Sequence, residues 1–205
     1  MTPIGGGVVG VDESALYLIT SARPNLESFL EAAIRGGVDI VQIRDKELTD
    51  AELLPVLTRA REVTRRLYVP LVVNDRPDLA AECEADFVHV GQEDVPVAEA
   101  RRFNLRVGLS THAEHEIDAA DSDYIAVGPV YATPTKEGRP AVGLELVRYA
   151  ASHARVPWFA IGGIDSTNAA DVVAAGATRL AVVRAIGDAA DPEGAAWALR
   201  RSLKR

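Results

Sequence analysis

One pattern repeats along the whole sequence: a short apolar run rich in branched side chains, then a segment with helical spacing. Eight such runs occur, at intervals of about 23 residues, and each has the length and composition of a buried strand in a parallel sheet. Strands are predicted at residues 15–20, 39–44, 70–74, 87–90, 106–110, 124–128, 158–162 and 179–183. The repeat therefore predicts an α/β protein in which strands and helices alternate.

The segments between these runs carry Ala, Leu, Glu and Arg at the spacing of amphipathic helices. Helices are predicted at residues 50–67, 113–120, 144–152, 166–174 and 192–203. Thr49 and Glu52 have the spacing of a capping box at the start of one of them. Gly36, Gly37 and Gly176 are placed to end helices before the next strand.

Eight strands, each followed by a helix, predict a single-domain (β/α)8 TIM barrel over residues 1–205, with residues 1–14 as an N-terminal extension. A doubly wound open sheet would give the same alternation. The barrel is favoured because no G-x-G-x-x-G follows the first strand. No change in composition divides the chain, which supports one domain.

Composition narrows the classes of partner and compartment. The formal net charge of −8 argues against nucleic acid and anionic membrane as partners, because both attract basic surfaces. No apolar stretch reaches the length of about 18 residues typical of a membrane span, and the first residues do not resemble a leader, so a cytoplasmic protein is expected. The single cysteine, Cys83, excludes an internal disulfide and is expected to be a buried helix residue.

Polar residues follow six of the eight predicted strands, where a TIM barrel carries its active site. They lie at residues 42–46, 74–76, 89–94, 110–112 and 162–163 and in the loop after residue 128. Within the first group, strand alternation places Gln42, Arg44 and Lys46 on one side, so their donors can converge on an anion. Salt bridges at the barrel rim are the alternative interpretation of each group alone.

Two acidic residues, Asp75 and Asp94, follow neighbouring strands and could share one hard cation. Mg²⁺ is the natural candidate, because it is commonly held by one or two carboxylates together with phosphate oxygens. The alternatives are that Asp45 or Glu93 is involved instead, or that either Asp caps a helix. His89 is expected inside the barrel and not as a catalyst, and a zinc site is not expected; the role of His112 stays open.

A second anion site is predicted across the barrel mouth. Residues 162–163 are a glycine pair after strand seven, and residues 183–184 follow strand eight, where many barrels bind phosphate. The longest loop, residues 129–143, adds hydroxyl groups and a positive charge. The side chains concerned are Thr133, Thr135 and Lys136.

Seven runs in order resemble the thiamine phosphate synthase family, over residues 16 to 186. They are QIRDK (42–46), NDR (74–76), HVGQED (89–94), GLSTH (108–112), GPVYATPTK (128–136), AIGGI (160–164) and AVVRAI (181–186). The resemblance implies a (β/α)8 transferase of thiamine biosynthesis. It would join 4-amino-2-methyl-5-(hydroxymethyl)pyrimidine diphosphate to 4-methyl-5-(2-hydroxyethyl)thiazole phosphate and release pyrophosphate.

The resemblance also implies roles for individual residues. Those implied for the pyrimidine diphosphate are Gln42, Arg44, Lys46, Asn74 and Ser110, with Ser110 on the pyrimidine or the leaving group. Those implied for the thiazole phosphate are Thr133, Thr135, Gly163, Val183 and Arg184. Lys136 would reach the pyrophosphate, and Asp75 and Asp94 would hold Mg²⁺. The implied catalytic residues are Arg44, Lys46, Ser110 and Lys136. Many members have Ser at the position of Arg184, so its contact by side chain or by backbone N–H stays open.

Two other functions are kept beside the synthase. The first is the thiazole tautomerase branch of the same superfamily, a metal-free isomerase with a histidine after strand five, where His112 lies. The second is a non-catalytic regulatory barrel that binds a phosphorylated ligand. The expected partners are small-molecule substrates, and a homo-oligomer is left open.

Overall fold

The computed structural model describes residues 10–133 and 140–203. Eight parallel strands close into a barrel in chain order, and the last strand is hydrogen-bonded to the first. The strands are β1 (Leu16–Thr20), β2 (Ile40–Ile43), β3 (Leu71–Asn74), β4 (Phe87–Val90), β5 (Arg106–Thr111), β6 (Tyr124–Val127), β7 (Trp158–Ile161) and β8 (Leu180–Val182). The predicted TIM barrel is confirmed, and closure between β8 and β1 excludes the open sheet.

Helices follow the strands around the outside of the barrel. They are α1 (Leu26–Arg35), α2 (Asp50–Arg66), α3 (Pro77–Glu82), α4 (Val97–Ala100), α5 (Glu114–Asp118), α6 (Gly143–His153), α7 (Ala169–Ala174), α8 (Arg184–Gly187) and α9 (Pro192–Leu203). The predicted capping box is present, because the Glu52 carboxylate accepts the backbone N–H of Thr49 at 3.0 Å. The helix predicted at 166–174 begins later, because Asp165 accepts the backbone N–H and the hydroxyl of Thr167 and holds a turn there.

Strand alternation divides the apolar residues into two cores. The larger core lies between the strands and the helices, and the smaller one fills the barrel interior. The interior core consists of Val11, Tyr17, Ile19, Ile40, Val72, Phe87, Tyr124, Phe159 and Ala181. Its members alternate along each strand with residues of the outer core, as the side-chain period of two requires.

Aromatic rings occupy the middle of the barrel. The Tyr124 ring contacts Tyr17, Phe87 and Phe159 edge-on, with ring centroids 5.6 to 6.0 Å apart. Gly108 on β5 makes room for this ring, because a Cβ atom at that position would lie 2.1 Å from Cζ of Tyr124. A glycine inside a strand therefore allows a tyrosine to cross the centre of the barrel.

The amino-terminal ends of the first two strands are joined through Asp39. Its carboxylate accepts the backbone N–H groups of Ala15 and Leu16 at 2.9 Å and pairs with Arg200 of α9. Burial raises the pKa of Asp39, and these hydrogen bonds and the arginine lower it. One carboxyl group thus connects β2, β1 and the last helix.

Cys83 is buried, as expected, but it lies just after α3 and not within it. Burial raises the pKa of its thiol to about 11. Such a thiol is largely protonated near neutral pH and is a poor nucleophile. In residues 10–133 and 140–203, no helix is both long enough and apolar enough to span a membrane.

Candidate active site

A cavity of about 280 Å³ opens where the strands end and the following loops begin. Its walls come from the ends of several different strands, which is where TIM barrels carry their sites. Eight predicted site residues line it: Gln42, Arg44, Asn74, Ser110, Thr133, Gly163, Val183 and Arg184. The closed barrel therefore brings together side chains that lie far apart in the sequence.

The end of β2 supplies two of these residues by alternation. Gln42 points into the barrel and is buried, and Arg44 lines the cavity just beyond the strand. Lys46 reaches the rim differently. It lies in the loop after β2, and its ammonium group is 3.2 Å from the Asp75 carboxylate. Strand alternation therefore accounts for the positions of Gln42 and Arg44, and the loop after β2 places Lys46.

Asp75 and Asp94 face each other at the same rim. Burial raises the pKa of Asp75, the neighbouring Asp94 carboxylate raises it further, and the Lys46 ammonium group lowers it. Asp75 has a positive φ of 62°, a conformation that Asp tolerates better than most residues. Asp94 also accepts the backbone N–H of Gly91 at 2.8 Å, so it closes its own loop as well.

The opposite wall is formed by the glycine pair and the start of α8. Gly162 and Gly163 both have positive φ, at 105° and 65°. A Cβ atom at Gly163 would lie 2.7 Å from Cβ of Tyr131, so a larger residue is excluded by packing as well as by backbone conformation. Val183 and Arg184 lie beside the pair in the cavity wall. This wall offers backbone groups and one guanidinium group to a ligand.

Thr135 and Lys136, the remaining predicted site residues, lie outside the described residues. Arg76, from the NDR run, binds away from the cavity: its guanidinium donates to the backbone carbonyl of Leu48 at 2.8 Å and pairs with Asp50. This contact is one of the rim salt bridges that the sequence left as the alternative interpretation.

Two tyrosines were not predicted as part of the site. Tyr17 and Tyr124 lie beneath the cavity, and their hydroxyl groups are 2.9 Å apart. Tyr124 also contacts Nδ1 of His89 at 3.1 Å, and Nε2 of that ring is 3.0 Å from Ser110 Oγ. His89 is thus an interior residue, as expected. The tyrosines lie in apolar strand runs, and the sequence carries no signal that their hydroxyl groups meet.

His112 also lines the cavity, just after β5. Its Nδ1 donates to the backbone carbonyl of Gly128, and its backbone N–H donates to Glu116. A carbonyl oxygen can only accept, so this contact fixes the hydrogen on Nδ1 of the neutral ring. The ring is thereby held against the loop that follows β6.

Comparison with known proteins identifies the family. A family described as "Thiamine monophosphate synthase" matches residues 16–186. The chain belongs to this family. That match covers the same residues as the resemblance in the sequence, so the predicted family is confirmed.

Relatives and a solved structure agree with the family. The chain is 51% identical over 198 residues to "Thiamine-phosphate synthase" of Thermus thermophilus, covering 92% of this chain and 96% of that protein. It is 50% identical over 193 residues to the protein of that name from Gloeobacter violaceus, covering 91% of this chain but 57% of that longer protein. The structure titled "Thiamine phosphate pyrophosphorylase from Pyrococcus furiosus" is similar at a TM-score of 0.86 and 31% identity, covering 95% of this chain and 97% of that one.

Proposed function

We propose that this chain is a transferase that forms thiamine phosphate from the aminopyrimidine diphosphate and the thiazole phosphate, with release of pyrophosphate. Membership of the thiamine monophosphate synthase family supports the activity. The observation that supports this activity in this chain is the cavity. Gln42 and Arg44, at the end of β2, line one wall of it, and the glycine pair and Arg184 line the opposite wall. Two phosphorylated substrates need two such walls, facing one another.

The reaction breaks a C–O bond and forms a C–N bond. The diphosphate leaves the exocyclic CH₂ of the pyrimidine with the bonding electron pair, and the amino group donates electrons into the ring to stabilise the resulting cation. The thiazole nitrogen then attacks this CH₂. No protein nucleophile is needed, so catalysis consists of stabilising the leaving group and aligning the two rings.

The pyrimidine side of this proposal uses Gln42, Asn74 and Ser110 for the ring and Arg44 and Lys46 for the diphosphate. Gln42 and Ser110 are 1% and 7% exposed, which limits the access of water to the cation. Gln42 already donates to Tyr17 and Ser110 already contacts His89, so the ring would meet their remaining hydrogen-bonding groups. Lys136, outside the described residues, is proposed to act on the leaving pyrophosphate.

The thiazole side uses the other wall. Gly163 and Val183 would present backbone groups to the phosphate, and Arg184 a guanidinium group. Thr133 lines the same cavity, and Thr135 is proposed as a further contact from outside the described residues. This arrangement leaves the thiazole ring between the two anionic groups, facing the pyrimidine.

Mg²⁺ is proposed to bind at Asp75 and Asp94. The Asp94 carboxylate raises the pKa of Asp75, and the Lys46 ammonium group lies beside Asp75. Two neighbouring carboxylates suit a cation that also binds phosphate oxygens. Among the described residues, no group of three or more His, Cys, Asp or Glu side chains could hold a metal. When bound, Mg²⁺ would neutralise charge on the departing diphosphate. Lys46 and Arg44 add positive charge from the protein itself.

The reaction mixture decides between the candidate functions. Purified protein is incubated with both substrates and Mg²⁺, and pyrophosphate and thiamine phosphate are measured. We expect equal amounts of both products, and loss of both when a chelator is added. Omission of the thiazole phosphate is the control, and thiamine phosphate should then be absent.

Other outcomes identify the alternatives. Isomerisation of a thiazole phosphate that persists with a chelator would favour the tautomerase, for which His112 lies in the cavity wall. Binding of a phosphorylated ligand without turnover would favour a regulatory barrel. A cytoplasmic location stays a prediction, which cell fractionation can test, and the oligomeric state stays open to measurement by light scattering.

A further inference from the structure

Five side chains form one continuous hydrogen-bonded chain through the barrel interior. The side-chain amide of Gln42 donates to the Tyr17 hydroxyl, which is 2.9 Å from the Tyr124 hydroxyl. Tyr124 is 3.1 Å from Nδ1 of His89, and Nε2 of His89 is 3.0 Å from Ser110 Oγ. The chain therefore connects two residues of the cavity wall, Gln42 and Ser110, by a path beneath the cavity floor.

Each link of this chain has a fixed number of hydrogens. Burial raises the pKa of both Tyr17 and Tyr124, so both hydroxyl groups stay protonated at neutral pH. A phenol then has one hydrogen to donate, and a neutral imidazole carries one N–H and one acceptor nitrogen. The direction of one hydrogen bond in the chain consequently fixes the direction of the others.

The amide of Gln42 sets this direction. Its N–H donates to Tyr17. With a neutral His89, the arrangement that uses every hydrogen of the five side chains then has Tyr17 donating to Tyr124 and Tyr124 donating to Nδ1 of His89. The ring hydrogen then lies on Nε2 and is donated to Ser110. Two groups remain directed at the cavity, the carbonyl oxygen of Gln42 as an acceptor and the hydroxyl hydrogen of Ser110 as a donor.

If every hydrogen bond of this series ran in the opposite direction, Gln42 would present a donor to the cavity and Ser110 an acceptor. If the Gln42 amide rotated, its carbonyl oxygen would accept from Tyr17 and its N–H groups would face the cavity. His89 would then carry its hydrogen on Nδ1, and the Ser110 hydroxyl would donate to Nε2. Gln42 and Ser110 therefore always present opposite hydrogen-bonding character, and the two tyrosines couple them.

We propose that Tyr17 and Tyr124 are positioning residues that hold Gln42 as an acceptor and Ser110 as a donor, and so make the cavity selective for an aminopyrimidine over an oxopyrimidine. This inference rests on the proposed function for the identity of the ring. An aminopyrimidine has an N–H donor on the amino group beside an acceptor ring nitrogen. Its oxo counterpart has a carbonyl acceptor beside a ring N–H, the reverse of what the two residues require, so acceptor would face acceptor at Gln42 and donor would face donor at Ser110.

Gly108 supports the same inference from packing. Only a residue without Cβ leaves space for the Tyr124 ring, whose hydroxyl would lie 2.4 Å from an added Cβ. Tyr124 is fully buried, and aromatic rings surround it. The hydroxyl is thus held at one place in the barrel, as a device that sets hydrogen-bond direction requires.

The first test needs no substrate, and a variant serves only to assign the signals. Nitrogen NMR of histidine-labelled protein distinguishes the two neutral tautomers of each ring, and loss of a signal in His89→Gln assigns it. We expect the hydrogen on Nε2 in His89 and, as an internal contrast, on Nδ1 in His112, which donates to the Gly128 carbonyl. A His89 ring with its hydrogen on Nδ1 would overturn the proposed direction.

The second test measures selectivity by calorimetry, with the pyrimidine alcohol that lacks the diphosphate and with its 4-oxo counterpart. The wild-type protein should prefer the amino form. Tyr124→Phe should reduce the preference about tenfold, the scale for a buried hydrogen-bonding group left mismatched, and should let both tautomers of His89 appear. Tyr149→Phe is the matched control, because the Tyr149 hydroxyl donates to Asp118 on the surface.

Failure of this inference can be told from failure of the proposed function. Equal binding of the two pyrimidines by wild-type protein that still releases pyrophosphate would refute selectivity and leave the transferase standing. If Tyr124→Phe does not fold, Tyr17→Phe interrupts the same chain at the other hydroxyl. In either variant that folds, the KM for the pyrimidine diphosphate should rise and the KM for the thiazole phosphate should not. A general loss of stability would not produce this selective change.

Discussion

Substitution of Gly108 by alanine tests how tightly the barrel interior is filled. The added Cβ would lie 2.1 Å from Tyr124 Cζ and 2.4 Å from its hydroxyl. The rings of Phe87 and Phe159 pack edge-on against Tyr124 and oppose its displacement. Overpacking costs about 2 kcal/mol. Loss of the hydrogen bonds to Tyr17 and His89 adds about 1 kcal/mol each, for a total of about 4 kcal/mol. In a chain of this size, we expect Tm to fall by about 10 °C.

Gly187→Ala is the matched control, because no atom lies within 4 Å of an added Cβ there and the backbone is helical. Calorimetry should show little change in its Tm, or a small rise from helix propensity. The double variant with Tyr124→Leu should recover part of the loss in Gly108→Ala, because leucine lacks the colliding atoms. If Gly108→Ala melts within 2 °C of Gly187→Ala, about the shift for 1 kcal/mol or less, the packing argument is wrong.

Three further predictions concern separate parts of the molecule. Asp75→Asn should lower turnover by ~10²-fold, the scale for one electrostatic stabiliser. Its Tm should be nearly unchanged, because asparagine accepts a positive φ. Steady-state assays with the exposed Asp78→Asn as control check this, and full activity of Asp75→Asn would refute the metal role of Asp75. Asp39→Ala should destabilise the fold by about 3 kcal/mol in urea unfolding, because the backbone N–H groups of Ala15 and Leu16, where β1 begins, lose their acceptor. A loss under about 0.5 kcal/mol, as for an ordinary surface substitution, would contradict this prediction. The pKa of the Cys83 thiol is about 11 in the folded protein and 9.0 ordinarily. The unfolded chain therefore releases this proton first, and the free energy of unfolding falls as pH rises between these values. Cys83→Ala should lessen that fall, and identical pH profiles of unfolding for the variant and the wild type would disprove it.

The sequence predicts the barrel and much of the site because both depend on local pattern. Strand alternation alone brings Gln42 and Arg44 to the cavity. Lys46 could be predicted only as a nearby charge, because a loop without regular alternation places it. The tyrosine pair could not be predicted at all: the two residues are 107 positions apart, and each is indistinguishable locally from an apolar core residue. Gly108 likewise has meaning only once the Tyr124 ring is seen opposite it.

Because the net charge is −8, binding of two anionic substrates must depend on positive charge gathered locally around the cavity. Arg44 and Arg184 line the cavity on different walls, and Lys46 stands at the rim beside Asp75 and Asp94. The acidic pair would repel a diphosphate in the absence of a cation, because like charges repel one another. If Asp75 and Asp94 hold Mg²⁺ as proposed, we expect binding of the diphosphate to depend on the metal. The wall proposed for the thiazole phosphate has no such acidic pair among the described cavity residues and should bind its anion with or without Mg²⁺. Titration of each substrate alone, with Mg²⁺ and with chelator, measures this difference, and equal metal dependence of the two would refute the division.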